Sequence, residues 1–171
     1  METFTYKEIL QQPSCWIKEY EVLLEEKTRI QAFLEKYLTN ETDIVLTGAG
    51  TSAFIGDAIA PLLRGVWKNV RAVATTDIVT NAADYLVADK PLLLISFARS
   101  GNSPESVAAV NLANAICKNV AHIYITCNKN GHLAQSANAE NILSLLLPEE
   151  TDDKSLAMTS SFSTMLLTCL M

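Results

Sequence analysis

Apolar residues in the first forty positions of the chain recur at intervals of three or four. This spacing places them on one face of a helix, so it predicts a helical lead-in of one long helix or two consecutive helices. Ser14 is expected to cap it, because a serine hydroxyl can accept a hydrogen bond from the first free amides of a helix. The apolar stripe consists of Ile17, Tyr20, Leu23, Leu24, Ile30, Phe33, Leu34 and Tyr37.

Beyond residue 40, short apolar runs alternate with segments of helical spacing. The run 92–95 is apolar on both faces, which is typical of a parallel strand covered by helices on both sides. This alternation predicts an α/β fold with a three-layer, doubly wound sheet of about five parallel strands. Strands are predicted at residues 43–47, 70–75, 91–97, 120–126 and 141–147. Helices are predicted near residues 52–65, 76–84, 104–117 and 131–138.

From Ser155 onward, an apolar helical face continues to Met171. No glycine, proline or basic last turn ends this helix, although natural helices commonly carry such a stop signal. A terminal helix docked in the core is one interpretation, and the front part of a longer protein is the favoured one. Apolar faces on this helix and on the lead-in also favour self-association, so a homo-oligomer is expected.

Composition narrows the functional classes. With 171 residues, 49% apolar and 19% charged, the chain resembles one folded domain rather than a disordered segment. Thirteen basic and nineteen acidic side chains give a net charge of −6, which disfavours general nucleic-acid binding. An anionic ligand must then be bound locally, by backbone amides and a few side chains. No apolar stretch is long enough to span a bilayer, so no membrane partner is expected.

The spacing of cysteines and histidines bears on location and on metal binding. The four cysteines show no close pairing, and the first residues lack a basic segment followed by an apolar run. Both observations favour a reducing, cytoplasmic setting. His122 and His132 have no cysteine at zinc-ligand spacing, so no metal site is expected.

Two loops that follow predicted strands carry the candidate chemistry. The first, residues 47–52, reads TGAGTS. Gly50 permits a tight turn, and the hydroxyls of Thr51 and Ser52 can bind an anion or cap the next helix. The loop is neither GxGxxG, because Ala53 stands at the last glycine position, nor a GK[ST] loop. A dinucleotide site or a P-loop is therefore poorly supported.

The second loop reads FARSGNSPE over residues 97–105. Ser103 at the N-cap, Pro104 at the first helical position and Glu105 in the first turn would make a well-capped strand-to-helix turn. Capping alone explains these three residues completely.

Capping does not explain the residues just before them. Arg99, Ser100 and Asn102 surround Gly101, and an arginine, hydroxyls and free amides at a helix N-terminus suit a phosphate monoester. Both loops would open at the carboxyl ends of neighbouring strands, where ligands bind in open α/β sheets. A phosphate site is therefore favoured over turn chemistry alone.

The motifs GAGTS at 48–52 and SGNSPE at 100–105, after a helical lead-in, resemble a sugar isomerase (SIS) domain of flavodoxin-like fold. The chain is similar to the tagatose-6-phosphate ketose/aldose isomerase family in three features. These are Trp16 in the lead-in, the sequence FARSGNSPES and the sequence AMTSSF at 157–162. That family is also described as galactosamine-6-phosphate deaminase/isomerase, and its members carry two SIS domains in tandem. The resemblance implies a lead-in over residues 1–40 and a first SIS domain over 41–171, with the second domain absent.

The resemblance also assigns the phosphate contacts. One departure is Ala98, because relatives such as the isomerase domain of glucosamine-6-phosphate synthase have a serine there; Arg99 is expected to compensate. The implied phosphate-binding residues are Gly50, Thr51, Ser52, Arg99, Ser100, Gly101, Asn102 and Ser103.

Catalysis is harder to assign. Aldose–ketose isomerisation needs a base that moves a proton between C1 and C2 and an acid that opens the ring, but no cofactor. In similar tandem enzymes these groups come largely from the second domain or a neighbouring subunit, so this chain alone is expected to be inactive. The candidates within it are Asp152, Asp153, Lys154 and His132, of which Asp153 and His132 are preferred. A solvated acidic loop over 149–153 and helix capping by the 128–131 turn are the alternative explanations.

Two functions follow from these patterns. The leading hypothesis is half of a phosphosugar isomerase or amino-sugar-phosphate deaminase/isomerase, with a phosphorylated sugar as its partner. The alternative is a non-catalytic module that senses a sugar phosphate. DNA reading is disfavoured because the first forty residues carry too few basic side chains for a DNA-binding segment.

Overall fold

One parallel sheet of five strands forms the centre of the computed structural model, which describes residues 3–171. Its order is β2-β1-β3-β4-β5, so the direction of winding reverses between β1 and β3. The strands are β1 (Asp43–Gly48), β2 (Val70–Ala72), β3 (Leu92–Ala98), β4 (Val120–Thr126) and β5 (Ile142–Leu146). The predicted α/β, doubly wound architecture of five parallel strands is confirmed.

Helices cover the sheet on both faces and complete three layers. The helices are α1 (Phe4–Tyr37), α2 (Ala53–Leu63), α3 (Thr75–Thr80), α4 (Ala82–Tyr85), α5 (Pro104–Ile116), α6 (His132–Gln135) and α7 (Ser160–Leu170). One apolar core lies between the sheet and α1, α2 and α7, and a second lies between the sheet and α3, α5 and α6. No helix within residues 3–171 is long and apolar enough to cross a membrane.

The lead-in is one continuous helix, and its predicted cap is wrong. The Oγ1 atom of Thr3 accepts a hydrogen bond from the backbone N–H of Tyr6 at 3.3 Å, so Thr3 is the N-cap. Ser14 lies inside the helix, where its hydroxyl donates to the carbonyl of Gln11 at 2.7 Å. The helix begins ten residues earlier than Ser14, at Phe4, and passes through Pro13.

Strand β2 is shorter than predicted, because the chain turns into a helix at its carboxyl end. The backbone N–H of Val73 still donates to Leu46 at 2.9 Å, but Thr75 already begins α3 and its hydroxyl donates to the Gly48 carbonyl. The helix predicted over 76–84 is interrupted at Asn81, where φ is −149°. These differences affect the boundaries of elements and leave their order unchanged.

Candidate functional site

The loops that follow β1 and β3 open at the same edge of the sheet. The two strands are neighbours over their whole length, up to the pair Gly48 and Phe97. Helix α2 packs on one face of the sheet and α5 on the other, so the two loops lead to opposite faces. In open α/β sheets, this divergence is where a ligand-binding crevice is expected. The prediction that both candidate loops lie at the carboxyl ends of adjacent strands is confirmed.

The first loop folds back closely on itself. A Cβ atom on Gly48 would lie 2.6 Å from the carbonyl carbon of Ser52, so a larger residue would force the loop open. Gly50 has a φ of 57°, in the left-handed region that favours glycine. Thr51 is exposed, whereas Ser52 is buried with its hydroxyl 3.9 Å from the sulfur of Met158. The loop therefore offers one exposed and one buried hydroxyl before α2.

The second loop is held by its own hydroxyl groups. Ser103 is the predicted N-cap of α5: its Oγ accepts from the backbone N–H of Ser106 at 3.3 Å and donates to the Ser106 hydroxyl at 2.6 Å. Ser100 Oγ accepts from the backbone N–H of Asn102 at 3.3 Å. Gly101, between them, is buried with a φ of 65°. The turn is therefore fixed before any ligand arrives.

Backbone amides in both loops are free to donate to a ligand. The N–H groups of Gly50, Thr51, Gly101 and Ser103 have no acceptor within residues 3–171. Unbonded amides at the start of a helix carry partial positive charge and bind anions. Together with the loop hydroxyls they suit a phosphate monoester. Over the same residues, no group of three or more His, Cys, Asp or Glu side chains could hold a metal ion.

A third loop, residues 127–132 after β4, supports the second loop, and sequence reasoning missed this role. Asn128 Nδ2 donates to the carbonyl of Ser100 at 3.1 Å. The backbone N–H of His132 donates to Asn102 Oδ1 at 2.8 Å. The Asn-Lys-Asn-Gly turn that follows β4 was the available signal, since β4 lies beside β3 in the sheet.

Gly131 is the closest contact between these loops. A Cβ atom there would collide with the Ser100 carbonyl and lie 3.2 Å from both the Asn128 carbonyl and the Gly101 Cα. We expect Gly131→Ala to destabilise the protein by about 1–3 kcal/mol, because backbone atoms must move to admit the methyl group. Urea unfolding compares this variant with Asn130→Ala, an exposed neighbour. Equal stability of the two variants would show that the loops are not packed this closely.

Arg99 connects the second loop to the segment 153–158, here called the strap. Its Nη1 atom donates to the carbonyl oxygens of Asp153 at 3.0 Å and Ser155 at 3.3 Å. The strap also carries Met158, which contacts Ser52 of the first loop. The structure therefore gives Arg99 a supporting role beside the crevice, while its contact with phosphate stays a prediction.

The lead-in helix holds the strap from the other side. The buried carboxylate of Glu8 accepts hydrogen bonds from the backbone N–H groups of Lys154 at 2.7 Å and Ser155 at 3.1 Å, and from the Ser155 hydroxyl. No local pattern indicates this role, because the partners lie 146 and 147 positions further along the chain.

Asp153 is buried, and its carboxylate caps α7. It accepts from the backbone N–H groups of Thr159 at 2.9 Å and Ser161 at 2.8 Å, and from the hydroxyls of Ser160 and Ser161. Four donors occupy its two oxygens, which leaves little capacity to take a proton from a sugar. The solvated-loop interpretation fails for this residue, and its catalytic role stays a prediction that the geometry does not support.

His132 begins α6 beside the second loop, with its side chain exposed. The structure therefore brings it to the edge of the crevice, as the sequence suggested, and its catalytic role stays a prediction. Cys127 lies nearby at the end of β4, but burial raises the pKa of its thiol to about 12. The thiol stays protonated at neutral pH and is a poor nucleophile.

Comparison with known proteins gives consistent matches over this fold. The model of the SIS domain family matches residues 37–171. The D-galactosamine-6-phosphate deaminase AgaS of Escherichia coli is 53% identical over 171 residues, which cover 98% of this chain and 44% of that protein. The protein of the same name from a Shewanella species is 45% identical over 174 residues, with 98% and 45% covered.

One solved structure is nearly superimposable. The tagatose-6-phosphate ketose/aldose isomerase from Escherichia coli is 52% identical with a TM-score of 0.96, covering 98% of this chain and 47% of that one. The chain thus spans less than half the length of each of these relatives.

Proposed function

Because this chain belongs to the SIS domain family, we propose that it is the phosphate-binding half of an enzyme acting on a phosphorylated amino sugar or ketose. The relatives are named for deamination of D-galactosamine 6-phosphate and for ketose/aldose isomerisation of tagatose 6-phosphate. Both names fit one chemical step, a proton transfer between C1 and C2 of the sugar. With a 2-amino sugar this step gives an imine at C2, which water hydrolyses to the ketose with release of ammonia. We extend this chemistry to the protein of which the chain forms part.

The pair of loops at the switch point carries the proposal. Two helices begin at this edge from opposite faces of the sheet, and the start of each carries unbonded amides. We propose that these amides and the hydroxyls of Thr51, Ser52 and Ser100 face one ligand. A phosphate dianion would accept from several of these donors at once. A neutral ligand of the same size would leave their partial positive charges unpaired.

We propose that phosphate binding and proton transfer are carried out by different parts of the enzyme. The phosphate-binding residues we propose are those of the two loops, Gly50–Ser52 and residues 99–103. Asp153 is occupied as a cap and Glu8 binds the strap, so we place the base that moves the C1 and C2 protons in a second SIS domain or a neighbouring subunit. We also propose that residues 41–171 form the first of two such domains.

The setting of the enzyme is part of the same proposal. All four cysteines are free, which fits a reducing compartment such as the cytoplasm. Large apolar side chains remain exposed on the lead-in helix, so we propose a homo-oligomer. A sugar phosphate is the small-molecule partner.

The phosphate site is tested by removing single hydroxyls. We expect Ser100→Ala, alone or combined with Ser103→Ala, to weaken binding of galactosamine 6-phosphate or tagatose 6-phosphate by about tenfold to a hundredfold. A hydrogen bond to a charged group contributes about 1.5–3 kcal/mol. Isothermal titration at fixed ionic strength measures the dissociation constants.

Two controls separate binding from folding. Ser14→Ala removes a hydroxyl from the lead-in helix, far from the crevice, and should leave affinity unchanged. Ser103→Ala also removes the cap of α5, at about 1 kcal/mol, so each titration is run well below the variant's unfolding temperature. Unchanged affinity in the Ser100→Ala, Ser103→Ala double variant would remove the second loop from the site.

A non-catalytic module that senses a sugar phosphate is the second candidate. The observation that favours it is the capped state of Asp153, which leaves His132 as the exposed acid–base candidate at this edge. Both candidates require phosphate binding, so turnover distinguishes them.

A further inference from the structure

The outward face of α1 carries a seam of apolar side chains. Seen along the helix, the seam lies opposite the buried positions Glu8, Cys15 and Glu19. Successive members are separated by four, three, four, three and four residues, which is the spacing of a coiled-coil interface. Exposed fractions are 50% for Tyr6, 61% for Leu10, 63% for Ile17, 46% for Tyr20 and 53% for Leu24, and the exposed Pro13 completes the seam.

The outward face of α1 is polar further along the helix. Beyond Leu24, the outward positions are Lys27, Gln31 and Glu35, all polar and exposed. The apolar seam therefore ends within the helix rather than following its whole length. It extends over residues 6–24, a length of about 27 Å at 1.5 Å per residue.

The seam is complementary to itself in an antiparallel register. With a two-fold axis at position 15, Tyr6 faces Leu24 of a second copy, Leu10 faces Tyr20, and Pro13 faces Ile17. Each layer then pairs apolar side chains, and none pairs an apolar with a polar one. This is the isologous arrangement expected of a two-fold dimer.

Charge distinguishes the antiparallel from the parallel arrangement. Beside the seam, the antiparallel register sets Lys7 of one copy opposite Glu21 of the other, and symmetry repeats the pair. A parallel register would set Trp16 beside Glu21 and stack Pro13 on its own copy. Opposite charges that flank a seam select partner orientation.

From the spacing, the register and the charges, we propose that α1 is a dimerisation helix that pairs antiparallel with α1 of a second copy through residues 6–24. The proposal rests on the self-association put forward above and adds its surface and geometry. It does not depend on the sugar phosphate site, which lies at the carboxyl edge of the sheet.

Sedimentation equilibrium of the 171-residue chain tests the seam. We expect a dimer for the unchanged chain and for the control Gln31→Glu, which alters the polar part of the same face. Ile17→Glu should raise the dimer dissociation constant at least a hundredfold, because a carboxylate would be buried against Pro13 of the other copy. Circular dichroism verifies that both variants stay folded.

Disulfide trapping tests the register. Under mild oxidation, a mixture of Tyr6→Cys and Leu24→Cys chains should form the mixed disulfide, while neither variant alone should form a disulfide-linked dimer. Disulfide-linked dimers of each variant alone would overturn the antiparallel register.

Three outcomes would overturn the seam itself. A dimer that survives Ile17→Glu would leave self-association standing and reject α1 as its surface. A folded monomer at 100 µM would reject both. A monomer whose α1 is covered only when the remaining part of the Escherichia coli relative is added would assign the seam to that part instead.

Discussion

The 171-residue chain is expected to bind galactosamine 6-phosphate or tagatose 6-phosphate and to convert it at least 10⁴-fold more slowly than the Escherichia coli relative. Phosphate contacts hold the substrate and the transition state about equally, so they lower KM without raising kcat. A positioned general base contributes about 10²–10⁴-fold, and orientation of the sugar against that base contributes more.

The hydrogen bonds of Glu8 and Asp153 support this expectation of low activity. Glu8 accepts three hydrogen bonds from the strap, and Asp153 accepts four from the start of α7. His132 remains, but it is exposed beside the second loop, where water competes for any proton it takes. We therefore expect the chain to bind the sugar phosphate without supplying the catalytic base.

Two parallel assays measure this difference: ammonia release from galactosamine 6-phosphate and ketose formation. The relative from Escherichia coli serves as the positive control, and titration of the same sugars confirms that the short chain is loaded. Activity near that of the relative would place the base within residues 1–171. His132→Gln would then be the first variant to assay, because Asp153→Asn also removes the cap of α7. No binding at all would reject the phosphate site, a result distinct from binding without turnover.

Local sequence patterns were sufficient to predict the strands of the sheet. Strand β4 covers the predicted residues 120–126, and β3 is displaced by one residue from the prediction. Continuous apolar runs predict such strands well because both faces are buried, as for Leu93 and Leu94. Errors occur where more than one residue could cap a helix. Ser14 has the side chain of an N-cap, yet the helix already begins at Phe4, with Thr3 as its cap.

The site was predictable only in part, for a physical reason. The cap at Ser103 is a local feature, and the sequence indicated it. The partners of Arg99 and Glu8 lie 54 to 147 positions away, and a single sequence does not reveal such pairings. Asp153 looked like a free carboxylate for the same reason, because its donors become its neighbours only when the strap turns back onto α7.

Burial of a carboxyl group between α1 and α7 makes stability depend on pH. Glu19 is 1% exposed, and burial raises its pKa to about 7 although a hydrogen bond from Thr168 acts in the opposite direction. Thr168 has a single hydroxyl proton and also lies 2.9 Å from the Thr164 carbonyl. A protonated Glu19 can donate to Thr168, which then donates to Thr164, so the neutral acid satisfies this chain of hydrogen bonds.

The direction of the pH dependence follows from that raised pKa. Below pH 4.5, Glu19 is protonated in both the folded and the unfolded chain and has no effect. Between pH 4.5 and about 7 the unfolded chain loses the proton and the folded chain keeps it, so the free energy of unfolding falls as pH rises. Above about pH 7 the loss is complete, at up to about 3 kcal/mol.

His122 gives the free energy of unfolding a pH dependence of the opposite sign, and the measurement must separate the two contributions. Burial lowers the pKa of its imidazole to about 4, so its contribution to stability falls as pH drops from 6.5 toward 4. The two slopes partly cancel between pH 4.5 and 6.5, and the total curve would hide both. The difference between a Glu19 variant and the unchanged chain removes the histidine contribution, because both proteins keep His122.

We therefore expect Glu19→Gln to match the unchanged chain at pH 4.5 and to exceed its stability by up to about 3 kcal/mol at pH 8. The glutamine keeps the shape of the neutral acid and cannot ionise. Urea unfolding at half-unit intervals of pH measures the difference, and Glu25→Gln, exposed on the same helix, should show none. A variant that is equally destabilised at pH 4.5 and pH 8 would mean that Glu19 folds as a carboxylate with a partner for its second oxygen. The contact between α1 and α7 would then include a hydrogen-bond donor to that second carboxylate oxygen.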